Sequence, residues 1–273
     1  MTQVSRSRNR PYRVVDATTG VAVIRMPCAL RMSATRPMTT LVVLQPGYIP
    51  WLGFFDQMQR SDVFIYYDDV QFDKNGWRNR NRIKTIKGAH WLTVPVKRTG
   101  LTGQRICDVE IDHAQLWQQR HLRSIRQSYA RALYLPQYYD EFATILERDW
   151  RLLVDLDIEV VALMCRWLGL KRRMLRSSQL DVAGGKSERL VNLCHHVGAD
   201  RYLSGASARD YLDTSLFMAA KIAVQWQDYE HPSYQQLHGP FVPFLSTLDL
   251  LFNVGPGSLD VIMGGARAPI VQS

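Results

Sequence analysis

Five short stretches of this sequence hold the residue types most able to do chemistry. Asp68 and Asp69 are adjacent carboxylates just after an apolar run over residues 63–67. At a strand end such a pair can bind Mg²⁺ or take a proton from a nucleophile. A solvated turn, or pairing with Arg78, Arg80 or Arg82, is the plain alternative. Those three arginines alternate with Trp77, Asn79 and Asn81. In an extended chain the two sets point to opposite faces, and three guanidinium groups on one face suit a carboxylate or diphosphate. A solvated strand face would have the same pattern.

Gln45 is the first polar residue after the apolar run 41–44, with Tyr48 and Trp51 close behind. Open α/β sheets bind ligands at that place. The Gln45 amide would face the crevice and the two aromatics would form a wall, unless the proline-rich loop simply buries them. Ser204, Ser207 and Arg209 belong to a second strand–loop–helix passage. Backbone N–H groups, hydroxyls and a cation there suit phosphate, although Ser207 alone would also serve as a cap. Lys186 follows Gly184-Gly185. The leading glycine of a P-loop is missing, so Ser187 reads as a helix cap with Lys186 guarding a site.

The elements that must position these residues are legible from the apolar pattern. Residues 41–44 and 63–67 read as buried strands joined by an amphipathic helix over 51–60, with Leu52, Phe55 and Met58 on one face. That is a βαβ unit, which implies a parallel sheet. Asn75-Gly76 signals a hairpin, leading to a strand over 91–96 and a further short strand over 105–111. Residues 114–170 read as a helical subdomain of about three helices broken near Pro136. Helices follow over 187–197, 208–218 and 247–253, with strands over 200–204 and 222–226.

Composition narrows the class. The 273 residues are 46% hydrophobic and 22% charged, as in ordinary globular chains. The net charge is +9. Residues 1–40 hold seven arginines and one acid, so +6 sits there and only +3 on the rest, a weak footprint for nucleic acid. Those first residues read as a basic extension, disordered or preceding the true start, and residues 41–273 as one domain. No stretch has the length and apolarity of a membrane helix. Cys28, Cys107, Cys165 and Cys194 lack C-x-x-C spacing and read as reduced, cytoplasmic thiols, Cys165 and Cys194 as buried packing thiols among apolar residues. His195 and His196 point apart on a helix, and His231 and His238 lack ligand spacing, so no metal site is expected.

Several runs of residues together carry a family resemblance. They include Gln45-Pro46-Gly47-Tyr48-Ile49-Pro50-Trp51-Leu52-Gly53-Phe54-Phe55, Asp68-Asp69-Val70-Gln71 and Trp77-Arg78-Asn79-Arg80-Asn81-Arg82-Ile83. Later come Trp91-Leu92-Thr93-Val94-Pro95-Val96, Tyr202-Leu203-Ser204-Gly205 and Leu245-Ser246-Thr247-Leu248-Asp249-Leu250-Leu251-Phe252-Asn253. In these, residues 41–257 resemble the WbqC-like protein family. The resemblance implies a role among O-antigen, other surface-polysaccharide or natural-product genes, and for some members a glycine transferase activity. A more distant similarity is to the nucleotidyltransferase and pantothenate synthetase architecture, whose first loop carries H-x-G-H. Here that register reads Trp51-Leu52-Gly53-Phe54.

The expectation is therefore an α/β protein with a parallel, nucleotidyltransferase-like sheet, a β-rich insertion and a helical subdomain. Its expected function is a tailoring transferase or ligase joining a glycine-type acyl group to an amino sugar or nucleotide sugar, with ATP and Mg²⁺ as the economical activating system. Asp68 or Asp69 would bind Mg²⁺ or act as base. Arg78, Arg80 and Arg82 would hold a carboxylate or diphosphate, and Lys186, Ser204, Ser207 and Arg209 phosphates. Gln45, Tyr48, Trp51, Trp77 and Asn79 would shape the substrate crevice. A non-catalytic partner in polysaccharide assembly and an RNA-binding module are the alternatives.

Overall fold

Three consecutive residues of the central strand show how the chain is layered. Val42 packs into one core, while Leu41 and Val43 pack into another on the opposite face. A strand buried on both faces reads as an uninterrupted apolar run, which is the pattern of residues 41–44. The computed structural model describes residues 14–15, 22–23, 37–73, 76–97 and 102–272. It divides into two units, Met1–Pro37 and Met38–Ser273. In the first, β1 (Val14–Val15) pairs antiparallel with β2 (Ala22–Val23). Residues 1–13, 16–21 and 24–36 of the expected basic extension, with Cys28, lie outside the described residues, and its last residue, Thr40, begins the central strand.

In the second unit, β3 (Thr40–Leu44), α1 (Leu52–Gln59) and β4 (Val63–Tyr66) form the expected βαβ unit, with β3 and β4 parallel. α1 buries more than the one apolar face that its amphipathic pattern suggested. Every residue from Leu52 to Met58 is buried, Asp56 and Gln57 included. The hairpin of β5 (Arg80–Thr85) and β6 (Gly88–Thr93) turns at Ile86-Lys87. Asn75 lies outside the described residues. Residues 105–111 form a 3-10 turn at Ile106–Asp108 rather than a strand. Helices α2 (Trp117–Ser128), α3 (Leu135–Leu146) and α4 (Leu153–Leu168) follow, Pro136 standing in the first turn of α3.

The chain then returns to the sheet through β7 (Arg173–Arg176), an edge strand missed in the sequence. α5 (Lys186–Val197) starts one residue before the expected helix, with Gly185 as its cap in place of Ser187. β8 (Arg201–Ser204) ends in a 3-10 turn, Ala206–Asp210. Asp213 then caps α6 (Thr214–Ala219), so the single helix expected over 208–218 is broken in two. β9 (Ala223–Trp226) leads to a long loop. The chain closes with α7 (Thr247–Val254), α8 (Ser258–Gly264) and β10 (Ile270–Gln272).

The sheet order is β10-β9-β8-β3-β4-β7. All its pairs are parallel except that of β10 with β9. From β3 the chain winds one way to β4 and β7, then starts again on the other side of β3 with β8 and β9. α1 packs into the core on Val42's side, and α5 with α6 into the core on the side of Leu41 and Val43. The order reverses between β3 and β8, and loops diverge there at the carboxyl ends of the strands. Among the described residues, no helix is long and apolar enough to cross a membrane.

Candidate functional site at the switch point

A crevice of ≈ 850 Å³ opens where the strand order reverses. Its floor comes from the ends of four parallel strands: Leu44 and Gln45 after β3, Tyr67 after β4, Ser204 and Gly205 at β8, and Gln227, Asp228 and Tyr229 after β9. Trp51, Phe54 and Gln57 enter from α1 and its cap, Trp77, Arg78 and Asn81 from the approach to the hairpin, and Phe244 from the long loop.

The loop 45–50 is held in shape from outside. Tyr48 N–H donates to Arg78 O at 2.9 Å, and the Arg78 guanidinium donates through Nη1 to Gln45 O at 3.1 Å. A Cβ on Gly47 would stand 2.9 Å from Trp77 O, so only glycine lets the two segments meet. Ile49 adopts φ +42°, a left-handed conformation that a β-branched residue rarely takes. Its carbonyl accepts from Asn81 Nδ2 at 2.9 Å, which helps fix it there. Trp51 folds over Gly53, where a Cβ would come within 2.3 Å of the indole. The same indole meets Tyr229 edge-on with ring centroids 5.7 Å apart and Phe244 at 5.8 Å.

A buried polar chain runs beneath the crevice. Gln57 Nε2 donates to Gln227 Oε1 at 2.8 Å, and Gln227 Nε2 donates to Gly53 O at 2.9 Å and Asp56 Oδ2 at 2.6 Å. Arg60 closes the chain on Asp56 Oδ1 at 2.8 Å. Burial raises the Asp56 pKa above its ordinary value, against the opposing pull of Gln227 and Arg60.

Three residues lining the crevice carry a buried polar atom with no hydrogen-bond partner among the described residues: Gln57 Oε1, Arg78 Nε and the Tyr229 hydroxyl. Such atoms are costly unless something meets them. Burial draws the Arg78 pKa below its ordinary value, with Asp157 and Asp73 opposing, and the guanidinium stays charged. Burial pushes the Tyr229 phenol up. Arg78 and Asp228 are the one cation and the one carboxylate among the described lining residues.

The expected site residues separate into two groups. Gln45, Trp51, Trp77, Arg78, Ser204 and Ser207 meet in the crevice. The others do not line it. Tyr48 is fully buried, its hydroxyl 3.0 Å from His121 Nδ1. Asn79 is buried and donates to Val94 O. Arg80 and Arg82 lie over Trp91 on the hairpin. Lys186 is exposed at the first turn of α5, and Arg209 lies over the Trp226 ring.

Asp68 and Asp69 are consumed by structure. Asp68 is fully buried, with Arg176 Nε at 2.8 Å, Ser178 N at 2.9 Å and Ser178 Oγ at 2.7 Å. Asp69 takes Ser177 Oγ at 2.6 Å and pairs with Arg189. The Asp68 oxygens are spent at the end of β7 and the Asp69 carboxylate bridges that turn to α5, which leaves no approach for a substrate amine at Asp68. Among the described residues, no group of three or more His, Cys, Asp or Glu could hold a metal ion. Burial pushes the Cys165 and Cys194 thiols up to about 12, which suits packing rather than nucleophilic attack.

Gln57, Gln227, Asp228 and Tyr229 escaped sequence reasoning. Gln227-Asp228 stands directly after a buried strand, as Gln45 does after β3. The rule applied to the first strand would have found the last. Gln57 gave no such signal, because a helix position does not reveal that it lies under a crevice.

The stretch of chain that builds the crevice also matches known proteins. The match runs over residues 45–261, from the crevice loop into α8. The chain belongs to the WbqC-like protein family. It is 41% identical over 227 residues to uncharacterized protein Rv1507c of Mycobacterium tuberculosis, across 82% of this chain and 98% of that one. No solved structure matches it. Within this WbqC-like chain, every crevice residue except Val43 and Leu44 falls inside the family match.

Proposed function

We propose that the switch-point crevice binds an amino sugar carried on a phosphate, and that the protein transfers an acyl group of the glycine type to the sugar amine. This is a tailoring transferase of surface-polysaccharide or small-molecule biosynthesis, as the family resemblance implies. One observation carries the reading: one crevice is lined by a single carboxylate and by three residues that each hold a buried polar atom without a partner among the described residues. In this scheme Asp228 takes the proton from the amine as its nitrogen attacks the acyl carbonyl. The new C–N bond forms as the bond to the leaving group breaks, and the leaving group departs with the electron pair. The Asp228 carboxylate makes no hydrogen bond or ion pair among the described residues, which suits a base.

Arg78 Nε and the Tyr229 hydroxyl donate to the phosphate, joined by Ser204 and Ser207. Gln57 Oε1 accepts from a sugar hydroxyl or amide. Trp51 and Phe244 exclude water from the reacting centre. ATP remains the economical way to activate the acyl group. Lys186 and Arg209 stand outside the crevice, so they do not hold the ATP phosphates there. A nucleotidyltransferase-like ancestry for the sheet fits the position of the crevice, although the H-x-G-H histidines are replaced by Trp51 and Phe54.

Thermal unfolding of the full chain with hexosamine phosphates, nucleotide sugars and Mg²⁺-ATP tests the reading. A ligand at 100 times its dissociation constant adds about 2.7 kcal/mol. For a chain of this length that raises Tm by roughly 2–4 °C per kcal/mol. The expected result is a rise with the sugar phosphates that Arg78→Lys abolishes. No rise with any of them removes the crevice from the scheme.

A further inference from the structure

Next to the crevice mouth, two tryptophans stand on the surface with no packing role that the fold requires. Trp77 is 44% exposed and Trp91 41%, with ring centroids 5.0 Å apart and ring planes 40° from parallel. They come from different segments, the approach to β5 and the middle of β6. Arg80 Cζ lies 4.6 Å from the Trp91 ring centroid, and Arg82 Cζ lies 5.6 Å from both rings. Arg82 faces Trp91 directly across the hairpin register.

This platform is clamped to the crevice. Asn81, on the other face of β5, holds Ile49 O, and Arg78 O holds Tyr48 N. Trp77 belongs to both surfaces, since it also lines the crevice. Arg82 Nη2 donates to Phe244 O at 3.1 Å, but its buried Nε has no partner. Arg78 Nε, inside the crevice, is likewise unpartnered. Two guanidinium groups, each with a buried Nε that has no partner among the described residues, therefore stand beside the shared indole.

Exposed indoles beside arginines bind flat π-rings joined to anions, because the ring stacks while the guanidinium meets the charge. From this arrangement we infer that the Trp77–Trp91 face is the nucleoside subsite of the protein. The base of a nucleoside diphosphate stacks on the indole pair. The diphosphate spans Arg82 and Arg78, and the group it carries enters the crevice toward Asp228. The inference rests on the proposed function for what enters the crevice, but the platform itself does not depend on it. A mononucleotide is favoured over RNA because the platform holds only two rings and residues 41–273 carry only +3 of the +9 net charge.

Titration calorimetry on the full chain, with UDP, ADP, GDP and hexosamine 1-phosphate as separate probes, tests this. At least one nucleoside diphosphate binds, and Trp91→Ala weakens it roughly ten- to a hundredfold, the range for losing one stacked base. Trp91→Phe keeps a flat ring and restores most of the affinity. Hexosamine 1-phosphate binds parent and Trp91→Ala equally. If no nucleoside diphosphate binds, or if Trp91→Ala binds it as well as the parent, the inference is overturned. If hexosamine 1-phosphate fails while the Trp91 dependence persists, the reading of the crevice falls and the nucleoside subsite stands. A single-stranded oligonucleotide that outbinds every mononucleotide, with affinity falling steeply in salt, overturns it in favour of RNA.

Discussion

Gln57 and Gln227, 170 residues apart in sequence, meet through a hydrogen bond of 2.8 Å where the sheet reverses its order. One comes from the helix after β3, the other from the end of β9. Their bond ties the two halves of the sheet together directly beneath the crevice. Gln227 also satisfies buried Asp56, so the floor of the site and the stability of the fold share one side chain.

Gln227→Ala removes the donor to Asp56 and to Gly53 O together. The buried carboxyl then keeps only its pair with Arg60 among the described residues, and a loss of about 2–4 kcal/mol is expected. Gln57→Ala removes a single neutral bond and is expected to cost about 1 kcal/mol. Urea denaturation of both variants and of the double variant measures the coupling. Equal costs for the two single variants would refute this account of the floor.

Substitutions at Asp228 and Asp68 test the proposed division between chemistry and architecture. Asp228→Asn is expected to lower kcat by roughly 10²–10⁴-fold, the range for losing a general base, with Tm essentially unchanged. Asp68→Asn breaks the pair with Arg176 and is expected to destabilise the fold by about 3 kcal/mol. Its activity per folded molecule should survive. The reverse pattern would return catalysis to Asp68.

Two buried groups should shape the pH dependence of stability in opposite directions. Burial lowers the His121 pKa to about 4. The unfolded chain takes up this proton near pH 6.5 and the folded one does not, so stability falls as pH drops from about 6.5 toward 4, by about 3 kcal/mol in full. His121→Gln should flatten that limb. Asp157 is fully buried, neither carboxyl oxygen has a hydrogen bond, and burial raises its pKa well above the ordinary value despite nearby Arg78. The folded chain keeps a proton that the unfolded one releases above about pH 3.9, so this group lowers stability as pH rises. Asp157→Asn should therefore be more stable than the parent at pH 7, with the advantage vanishing below about pH 4. Chemical denaturation across pH 4–8 reads both effects.

Gly53→Ala places a methyl group within 2.3 Å of the Trp51 indole. The indole must leave its position against Tyr229 and Phe244, which opens the crevice to water. Sugar-phosphate affinity is expected to fall at least tenfold, with quenching by acrylamide reporting the newly exposed tryptophan. An unchanged affinity would mean that Trp51 is no wall of the site.

The sequence by itself determined the parallel core. The apolar runs at 41–44 and 63–67 have a helix of fitting length between them, and local pattern is enough to specify such a unit. It also placed part of the crevice, because the first polar residue after a buried strand lies at the sheet's carboxyl edge wherever that sheet goes. Gln45 and Ser204 were found in this way. Tertiary structure alone decided which charged residues are spent on the fold. Asp68 looked available until Arg176 and Ser178, over a hundred residues later, closed on it. Asp228 looked ordinary until four strands converged beside it. Periodicity tells which side of an element a residue faces, but not what arrives to face it. Charge partners and crevice walls are set by contacts between segments far apart in the chain, so only the folded protein separates a carboxylate held by the structure from one left for chemistry.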